Sequence, residues 1–577
     1  MKLFFNLFVA FLLSLPVCMA EIAKGTLSPT FNLYVNAPLT EQDAVALSQG
    51  QKPKAQVFQV TPDKNGFVNI IKSGGKYAYK ERTPALLEAV FVAENAGKIW
   101  FGAGADWWFS CFVNGNKIFS TMDFGNSVQP FGKDNYPFPV EVKKGENRIV
   151  LLVHSGSAGW GGAMGLMADP AEREKIDKLQ LAFAPYLTHA TSGSVIVNFI
   201  SDKPAVAFVD YRVKGESTWN QAFDLLGGQV RIDETKHTVK LTGLKSDTVY
   251  EFRMGMKAKA HSAVEHHSAI YTFRSFTAAP KDFTVFYTSD TQFKLPERIQ
   301  LLQDYIKNCN AGDADLFIHG GDVYHDYFDA KGVYLDSFLN VLTAGRTHCQ
   351  PVIVTRGNHE YRGNESSDYF RYFGGRNNRS YGMFRQGNVC FIVLDTGEDK
   401  PRRPLDSWYA RNFDMELMKE QREWLENAVK SPDFQTAQFR VVFSHSPGDE
   451  QYMGDAVKVM TEGLFTGSSP THKIHFWVSA HTHRYTRTVA ADGKAVRAVS
   501  NKVMVRESPA YGICAALVND GPGGADGCDA SAVKISCRAN ELEVQSMTRD
   551  GKVFDHFSIL PDGSIKEHHS ELKVIER

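Results

Sequence analysis

The chain has no surplus of either charge: 64 Lys and Arg stand against 65 Asp and Glu, for a formal net charge of -1. Proteins that neutralise a phosphate backbone need a basic excess, so composition offers no nucleic-acid surface and no acidic partner. No apolar run after the first 20 residues approaches the ~20 that a helical membrane span requires, so no transmembrane anchor is expected. Cysteine is scarce, 8 in 577 residues, and removal of an N-terminal leader would leave an odd number that cannot all pair. What is present is ordinary for a soluble globular protein: 43% apolar, 22% charged and 12% aromatic residues. At this length one core does not suffice, and three or so domains are expected.

The chain opens like a targeting segment. Lys2 supplies a positive start, Phe4 to Val17 is mostly apolar, and Cys18-Met19-Ala20 ends in small residues around a plausible cut. Leu15-Pro16-Val17 lacks the small residue expected before a lipidated cysteine, so cleavage after Ala20 is preferred to lipid attachment at Cys18. The expected localisation is secreted or periplasmic. Cys309 and Cys349 both follow helix-like segments and precede strands, so a bridge between them is conceivable. Cys514, Cys528 and Cys537 could supply another, whereas Cys111 and Cys390 sit in apolar strands and read as buried thiols.

Residues 21–180 read as all-β. Ala85 to Val92, Lys98 to Ala103 and Trp107 to Val113 have strand character, and Asn114-Gly115 is a strong hairpin signal. Phe138 to Val142 leads through a polar turn into Arg148 to Val153. This pattern resembles the jelly-roll, galactose-binding-like sandwiches that accompany glycosidases. The resemblance implies a possible glycan contact, for which Trp107, Trp108 and Trp160 could offer faces; filling the sandwich or its rim is the plainer role for all three. A polar, helix-like patch from Pro170 to Lys178 closes the module.

From 181 to 278 strands recur at Ser194 to Phe199, Ala205 to Arg212, Thr238 to Leu241 and Thr248 to Met256. Leu241-Thr242-Gly243-Leu244 followed by Thr248 to Arg253 resembles the late strands of a fibronectin III-like domain. A similar domain precedes the catalytic one in purple acid phosphatases. Nothing in it reads as catalytic.

From 279 to 577 the pattern changes to strands alternating with helices, which implies a layered α/β domain. The strands are Phe283 to Tyr287, Asp315 to Ile318, Pro351 to Thr355, Asn388 to Leu394, Phe439 to Phe443 and Ile474 to Val478. Helices are expected over Glu297 to Cys309, Gly332 to Ala344 and Glu416 to Lys430, the last with Leu417, Leu425 and Val429 on one face.

Five of these strands end in metal-ligating residue types: Ser289-Asp290-Thr291-Gln292, Gly320-Gly321-Asp322, Gly357-Asn358-His359-Glu360, Ser444-His445 and His481-Thr482-His483. In open α/β sheets ligands bind at the carboxyl ends of strands. The gaps from Asp290 to Asp322 and from Asp322 to Asn358 each match one strand–helix–strand unit of ~30 residues or more. The sets should therefore meet at one edge. Two cations held close together need an anionic bridge, which Asp322 can provide; imidazoles suit transition metals, and amide and carboxylate oxygens fill the remaining positions.

The ordered set Asp-x-Gln, Gly-Gly-Asp, Gly-Asn-His-Glu, His and His-x-His resembles the calcineurin-like metallophosphoesterase superfamily. That resemblance implies a four-layer α/β (α+β) sandwich, a phosphate ester substrate, and two divalent or trivalent ions of Fe, Mn or Zn. It implies Asp290, Gln292, Asp322 and His483 around one ion, and Asp322, Asn358, His445 and His481 around the other. It further implies a metal-bridging hydroxide as nucleophile, with His359 contacting the phosphoryl oxygens and assisting the leaving group as acid. Glu541 to Val544 and Gly551 to Asp555 resemble the domain's closing strands.

Three departures qualify the match. Gln292 stands where the superfamily usually has histidine. His325 occupies the place of the tyrosine ligand of purple acid phosphatases, with Tyr324 one residue early, so a purple iron centre is not implied. Ala480 replaces a customary glycine. His325 and Asp326 follow the bridging aspartate closely enough to orient His359 or act on substrate. Arg362 could pair with substrate phosphate. The segment Thr396 to Phe413, carrying Arg402 and Arg403, is a long loop of the kind that forms lids. The expected function is an exported phosphate monoesterase. A phosphodiesterase, or a glycan-binding surface protein carrying a phosphatase domain, is the alternative.

Overall fold

The structure, a computed structural model, describes residues 22–74, 80–125, 131–157, 159–168, 178–258, 264–292, 296–374, 378–399, 414–447, 459–462, 464–465, 473–483, 485–491, 494–499, 512–514 and 531–571. The leader and its cut site, nearly all of the polar patch at 170–178, Cys528, Arg402 and Arg403 lie outside them. The chain divides into two compact units, 1–178 with 258–265, and 179–257 with 266–577.

In the first unit Asn114 and Gly115, both at positive φ, turn Trp108–Val113 back onto Asn116–Ser120, as the Asn-Gly pair predicts. These strands belong to an antiparallel sheet that runs Gln56–Val60, Phe31–Val35, Pro84–Ala93, Gly145–His154, Trp108–Val113, Asn116–Ser120. A second antiparallel sheet holds Phe67–Asn69, Gly161–Leu166, Gly97–Ala105 and Tyr136–Val142. Side chains from both sheets, among them Leu87, Phe101, Phe109 and Leu151, share one core. Trp160 is part of that core and offers no face to a ligand. The Arg82 guanidinium lies 4.2 Å from the centre of the Trp108 ring, and the Trp107 ring is 5.3 Å from that of Trp108.

The second unit begins with antiparallel strands around Ser194–Val213, a single strand of 20 residues. The sequence predicts two strands here, split near Pro204. Instead the chain stays extended and bends: its first half pairs Glu234–Thr242, its second half pairs Val249–Lys257, and the register shifts between Ile200 and Ala205. Lys203 and Pro204, exposed at the shift, fall outside the ladder, which lets proline sit within the strand.

The remainder of this unit packs two seven-stranded sheets face to face. Its strands are β1 (Phe283–Thr288), β2 (Leu316–His319), β3 (Val352–Val354), β4 (Gly382–Gln386), β5 (Val389–Leu394), β6 (Phe439–Ser444), β7 (Phe476–Ser479), β8 (Thr486–Ala491), β9 (Lys494–Val499), β10 (Gly512–Cys514), β11 (Ala532–Cys537), β12 (Leu542–Met547), β13 (Val553–Ile559) and β14 (Ile565–Ser570). One sheet runs β3-β2-β1-β11-β12-β13-β14 and the other β4-β5-β6-β7-β10-β8-β9. β1 to β3 are parallel, as are β5, β6, β7 and β10.

Alternation along the strands builds the layers. Val285 and Tyr287 of β1 meet Val441 and Phe443 of β6 in the core between the sheets. Phe286 and Phe317 point the other way, onto helical residues Leu302, Leu335 and Phe338. Val442 likewise faces Met418, Leu425 and Val429. Two longer helices are α1 (Pro296–Asn308) and α2 (Asp414–Ala428). Between them, Gly332–Leu339 winds as a wider π-type helix before Asn340–Thr343 returns to α geometry. No described helix is long and apolar enough to cross a membrane.

No bridge joins Cys309 to Cys349. The Cys309 sulfur lies 3.7 Å from the Thr548 carbonyl and that of Cys349 lies 3.9 Å from the Pro185 carbonyl, so the two thiols pack against different segments. Cys111, Cys390 and Cys537 are also buried free thiols, and burial pushes the Cys390 thiol up to about 12.

Candidate metal centre

The strand ends of β1, β2, β3, β6 and β7 deliver their polar residues to one place. The turns are tight: Asp290, Gln292, Asp322, His481 and His483 all adopt positive φ, between 40° and 70°. A non-glycine residue in this left-handed region costs on the order of 1 kcal/mol or more. Neighbouring turns hold one another in place. Asp290 N–H donates to the Gly321 carbonyl at 2.9 Å, Gln292 N–H to the Asp322 carbonyl at 3.0 Å, and Ala480 N–H to the His445 carbonyl at 2.7 Å. His481 N–H donates to the Asp290 carboxylate at 3.1–3.2 Å.

The result is two clusters that share one carboxylate. Asp322, His445 and His481 each place a donor atom within 4.8 Å of the others, and Asp290, Asp322 and His483 do the same. Asn358 completes the first: its Oδ1 lies 2.8 Å from His445 Nε2 and 3.0 Å from His481 Nδ1. The amide is oriented by Nδ2 donating to Asp399 at 3.0 Å, which turns the oxygen inward. His445 Nδ1 is 2.8 Å from the Gly320 carbonyl and must carry a proton to bond it. That leaves the Nε2 lone pair facing Asn358 Oδ1 and, at 3.3 Å, Asp322 Oδ1. Lone pairs converging in this way fit a cation between them. Burial opposes charge on His445, yet Asp322 and Asp290 push it up to about 10. Burial likewise works against the Asp322 carboxylate, but His445 and His359 hold it well below the usual range.

Gln292 reaches the second cluster, with Nε2 at 3.2 Å from His483 Nε2 and 3.5 Å from Asp322 Oδ2. A half-turn of the amide would present its oxygen there. Asp290 lies 3.4 Å from His483, and despite burial the histidine lowers its carboxyl below the ordinary value.

His359 sits beside this centre rather than in either cluster. Its backbone N–H donates to Asp322 at 3.0 Å, and ring Nδ1 lies 2.7 Å from the His325 carbonyl. Burial, then the nearby Arg362, lowers its basicity, with Asp322 opposing. The His325 ring packs 4.4 Å from the His359 ring and bonds Asp326 at 3.0 Å, both side chains about one-third exposed. Arg362 is placed differently from an open phosphate ligand. It is 4% exposed and paired with Glu398 and Asp399.

Sequence reasoning does not single out Glu398, Asp399 or His319. The first two follow β5 through Asp395-Thr396-Gly397, a sixth strand end of the same kind, and that pattern is the signal available. His319 ends β2 with Nε2 bonded to the Thr291 hydroxyl at 3.1 Å, and burial lowers it to about 3.

Residues 283–485 match the family described as calcineurin-like phosphoesterase. Purple acid phosphatase 15 of Arabidopsis thaliana is 22% identical over 284 residues, 44% of this chain and 49% of that protein, so the chain spans about half the length of this curated relative. Among solved structures, the purple acid phosphatase PPD1 of yellow lupin seeds is 15% identical with a TM-score of 0.46, covering 84% of this chain and 94% of the other. A structure of PhoD is 13% identical with a TM-score of 0.45, covering 68% and 93%.

Proposed function

Because residues 283–485 are a calcineurin-like phosphoesterase domain, we propose that this chain hydrolyses phosphate esters, monoesters by preference, at a centre of two metal ions. One observation carries the reading: two ligand clusters meet at Asp322 while Asn358 is turned oxygen-inward between His445 and His481. Asp290, Gln292, Asp322 and His483 would hold one ion, and Asp322, Asn358, His445 and His481 the other. Bound there, Fe, Mn or Zn ions would supply Lewis acidity toward the phosphoryl oxygens and lower the pKa of water. The chain's own contribution is orientation and proton handling. His359 would meet the phosphoryl group and donate a proton to the leaving oxygen. The His325–Asp326 pair, partly exposed beside it, would hold the departing side of the substrate. The preference for monoesters rests on the acid phosphatase relative.

We read residues 21–180 as a galactose-binding-like jelly roll, 181–278 as a fibronectin III-like spacer, and the protein as exported after cleavage behind Ala20. Any glycan contact would fall to the first of these modules.

The test is turnover of aryl mono- and diesters in parallel with Mn, Fe or Zn supplied, alongside metal analysis. Asp322→Asn should lose both metals and activity. His359→Ala should keep the metals and lose turnover by at least a hundredfold, within the usual contribution of general acid catalysis of about 10²–10⁴. Inactivity of the metal-loaded protein on every ester would refute the proposal.

A further inference from the structure

We propose that Arg362, Glu398 and Asp399 form a positioning clamp that sets the two adjacent residues Asn358 and His359 in the different orientations their tasks need. This rests on the phosphoesterase reading. The clamp starts from a planar fork. Arg362 Nε donates to Glu398 Oε2 at 2.9 Å and Nη2 to Glu398 Oε1 at 2.7 Å, a bidentate pair that fixes the guanidinium plane. From that plane two arms extend.

One arm passes through Asp399. A single oxygen, Oδ1, accepts from Arg362 Nη2 at 2.8 Å and from Asn358 Nδ2 at 3.0 Å. An asparagine amide has nearly the same shape either way round, so packing alone does not choose which atom faces inward. The Asp399 carboxylate chooses, because only the amide nitrogen can donate to it. The other arm is Arg362 Nη1, which lies 3.0 Å from His359 Nδ1 and 2.9 Å from Nε2. His359 Nδ1 donates to the His325 carbonyl at 2.7 Å, so Nε2 is the atom that can accept from Arg362, and the ring is held from two directions.

All three clamp residues are less than 10% exposed. Burying a guanidinium with two carboxyl groups is expensive, and apolar side chains would usually serve stability as well. Here both arms end on neighbouring side chains of the centre, so specificity of placement explains what stability does not. Glu398 reaches Asn358 and His359 through Arg362, so its substitution reports on positioning.

The experiment compares Glu398→Gln, Arg362→Lys and wild type on a series of aryl phosphates of graded leaving-group pKa, with metal content and melting temperature measured on each. Glu398→Gln keeps size but puts a donor in place of one of the two oxygens that accept from Arg362; kcat should fall about 10–100-fold, the range for residues that orient metal ligands. KM should change less than twofold, and metal affinity should fall only to the extent that the Asn358 amide turns. The loss should grow with leaving-group pKa, because poor leaving groups depend most on a correctly placed His359. Arg362→Lys keeps the charge but not the fork, and should fall at least as far. A crystal structure of the metal-free Glu398→Gln protein should show the His359 ring displaced from the His325 carbonyl or the Asn358 amide turned.

Wild-type kcat in Glu398→Gln, or full activity in Arg362→Lys, overturns the clamp. So does a loss equal for all leaving groups that tracks a lowered melting temperature alone. If wild type itself turns over no ester, the functional proposal fails instead. The metal-free structure then still decides whether the clamp holds the two side chains.

Discussion

Glu360 accepts from the backbone N–H groups of Asp322 and Val323 at 2.9 Å and Gly357 at 2.8 Å, and from the Tyr327 hydroxyl at 2.5 Å. It is fully buried, and burial with the Asp322 charge pushes its carboxyl up to about 7. Its bonds tie the turn after β2 to the turn after β3, which is how two ligand-bearing loops keep a common position. In sequence it is only the last letter of Gly-Asn-His-Glu, with no role apparent. Glu360→Gln places an NH₂ group where backbone donors already point, leaving at least one buried donor unmatched, at a cost of about 1–3 kcal/mol. We expect a lower melting temperature in the metal-free protein and weaker metal retention at Asp322 and Asn358. Wild-type melting and metal content in this variant would show that the carboxylate only fills space.

At the scale of elements, the strand–turn junction is the unit that makes the centre, and its tightest point is Gly321. With φ at +95°, a Cβ there would stand 2.7 Å from both Gly357 N and the Thr355 carbonyl. Those are backbone atoms on β3's turn and cannot swing aside. Gly321→Ala should therefore separate the ends of β2 and β3, destabilise the protein by roughly 1–3 kcal/mol or more, and lower metal binding, read by thermal melting and metal titration. The same unit explains what sequence can disclose. Each candidate ligand stands where an apolar run stops, so Asp290, Asp322, Asn358, His445, His481 and His483 are legible as strand ends in the amino-acid sequence alone. Residues reached only by tertiary packing are not. Glu398 and Asp399 lie beyond Gly397, and their partner Arg362 reads as a phosphate ligand because its burial depends on them. Local pattern also misplaces a boundary at Pro204, where an exposed kink lets one strand continue, and suggests a Cys309–Cys349 bridge that distant neighbours, Thr548 and Pro185, preclude.

For the molecule as a whole, buried neutral histidines favour unfolding in acid, while the buried carboxyls of Glu360 and Glu398, raised to about 7, act the other way. His475 accepts from Arg440 N–H at Nδ1, 3.1 Å, and lies 3.1 Å from the Pro561 carbonyl at Nε2, which fixes one neutral tautomer; burial lowers it to about 4. His237 packs on Phe199 with ring centres 4.9 Å apart, and burial followed by the Lys236 charge lowers it to about 3. Both folded values lie below the ordinary 6.5. Above that pH the imidazoles are neutral whether folded or not, and their contribution is complete. As pH falls below 6.5 the unfolded chain takes up protons that the folded chain refuses, so stability declines until the folded values are reached. Each histidine removes about 1.4 kcal/mol per pH unit over that range. Together they remove roughly 3 kcal/mol between pH 6.5 and 5. Gln can imitate the His475 tautomer, accepting at one end and donating at the other without titrating. Urea unfolding at pH 7 and pH 5 should show His475→Gln losing about 2 kcal/mol less than wild type between the two values. Equal losses in the two proteins would mean that acid sensitivity originates elsewhere.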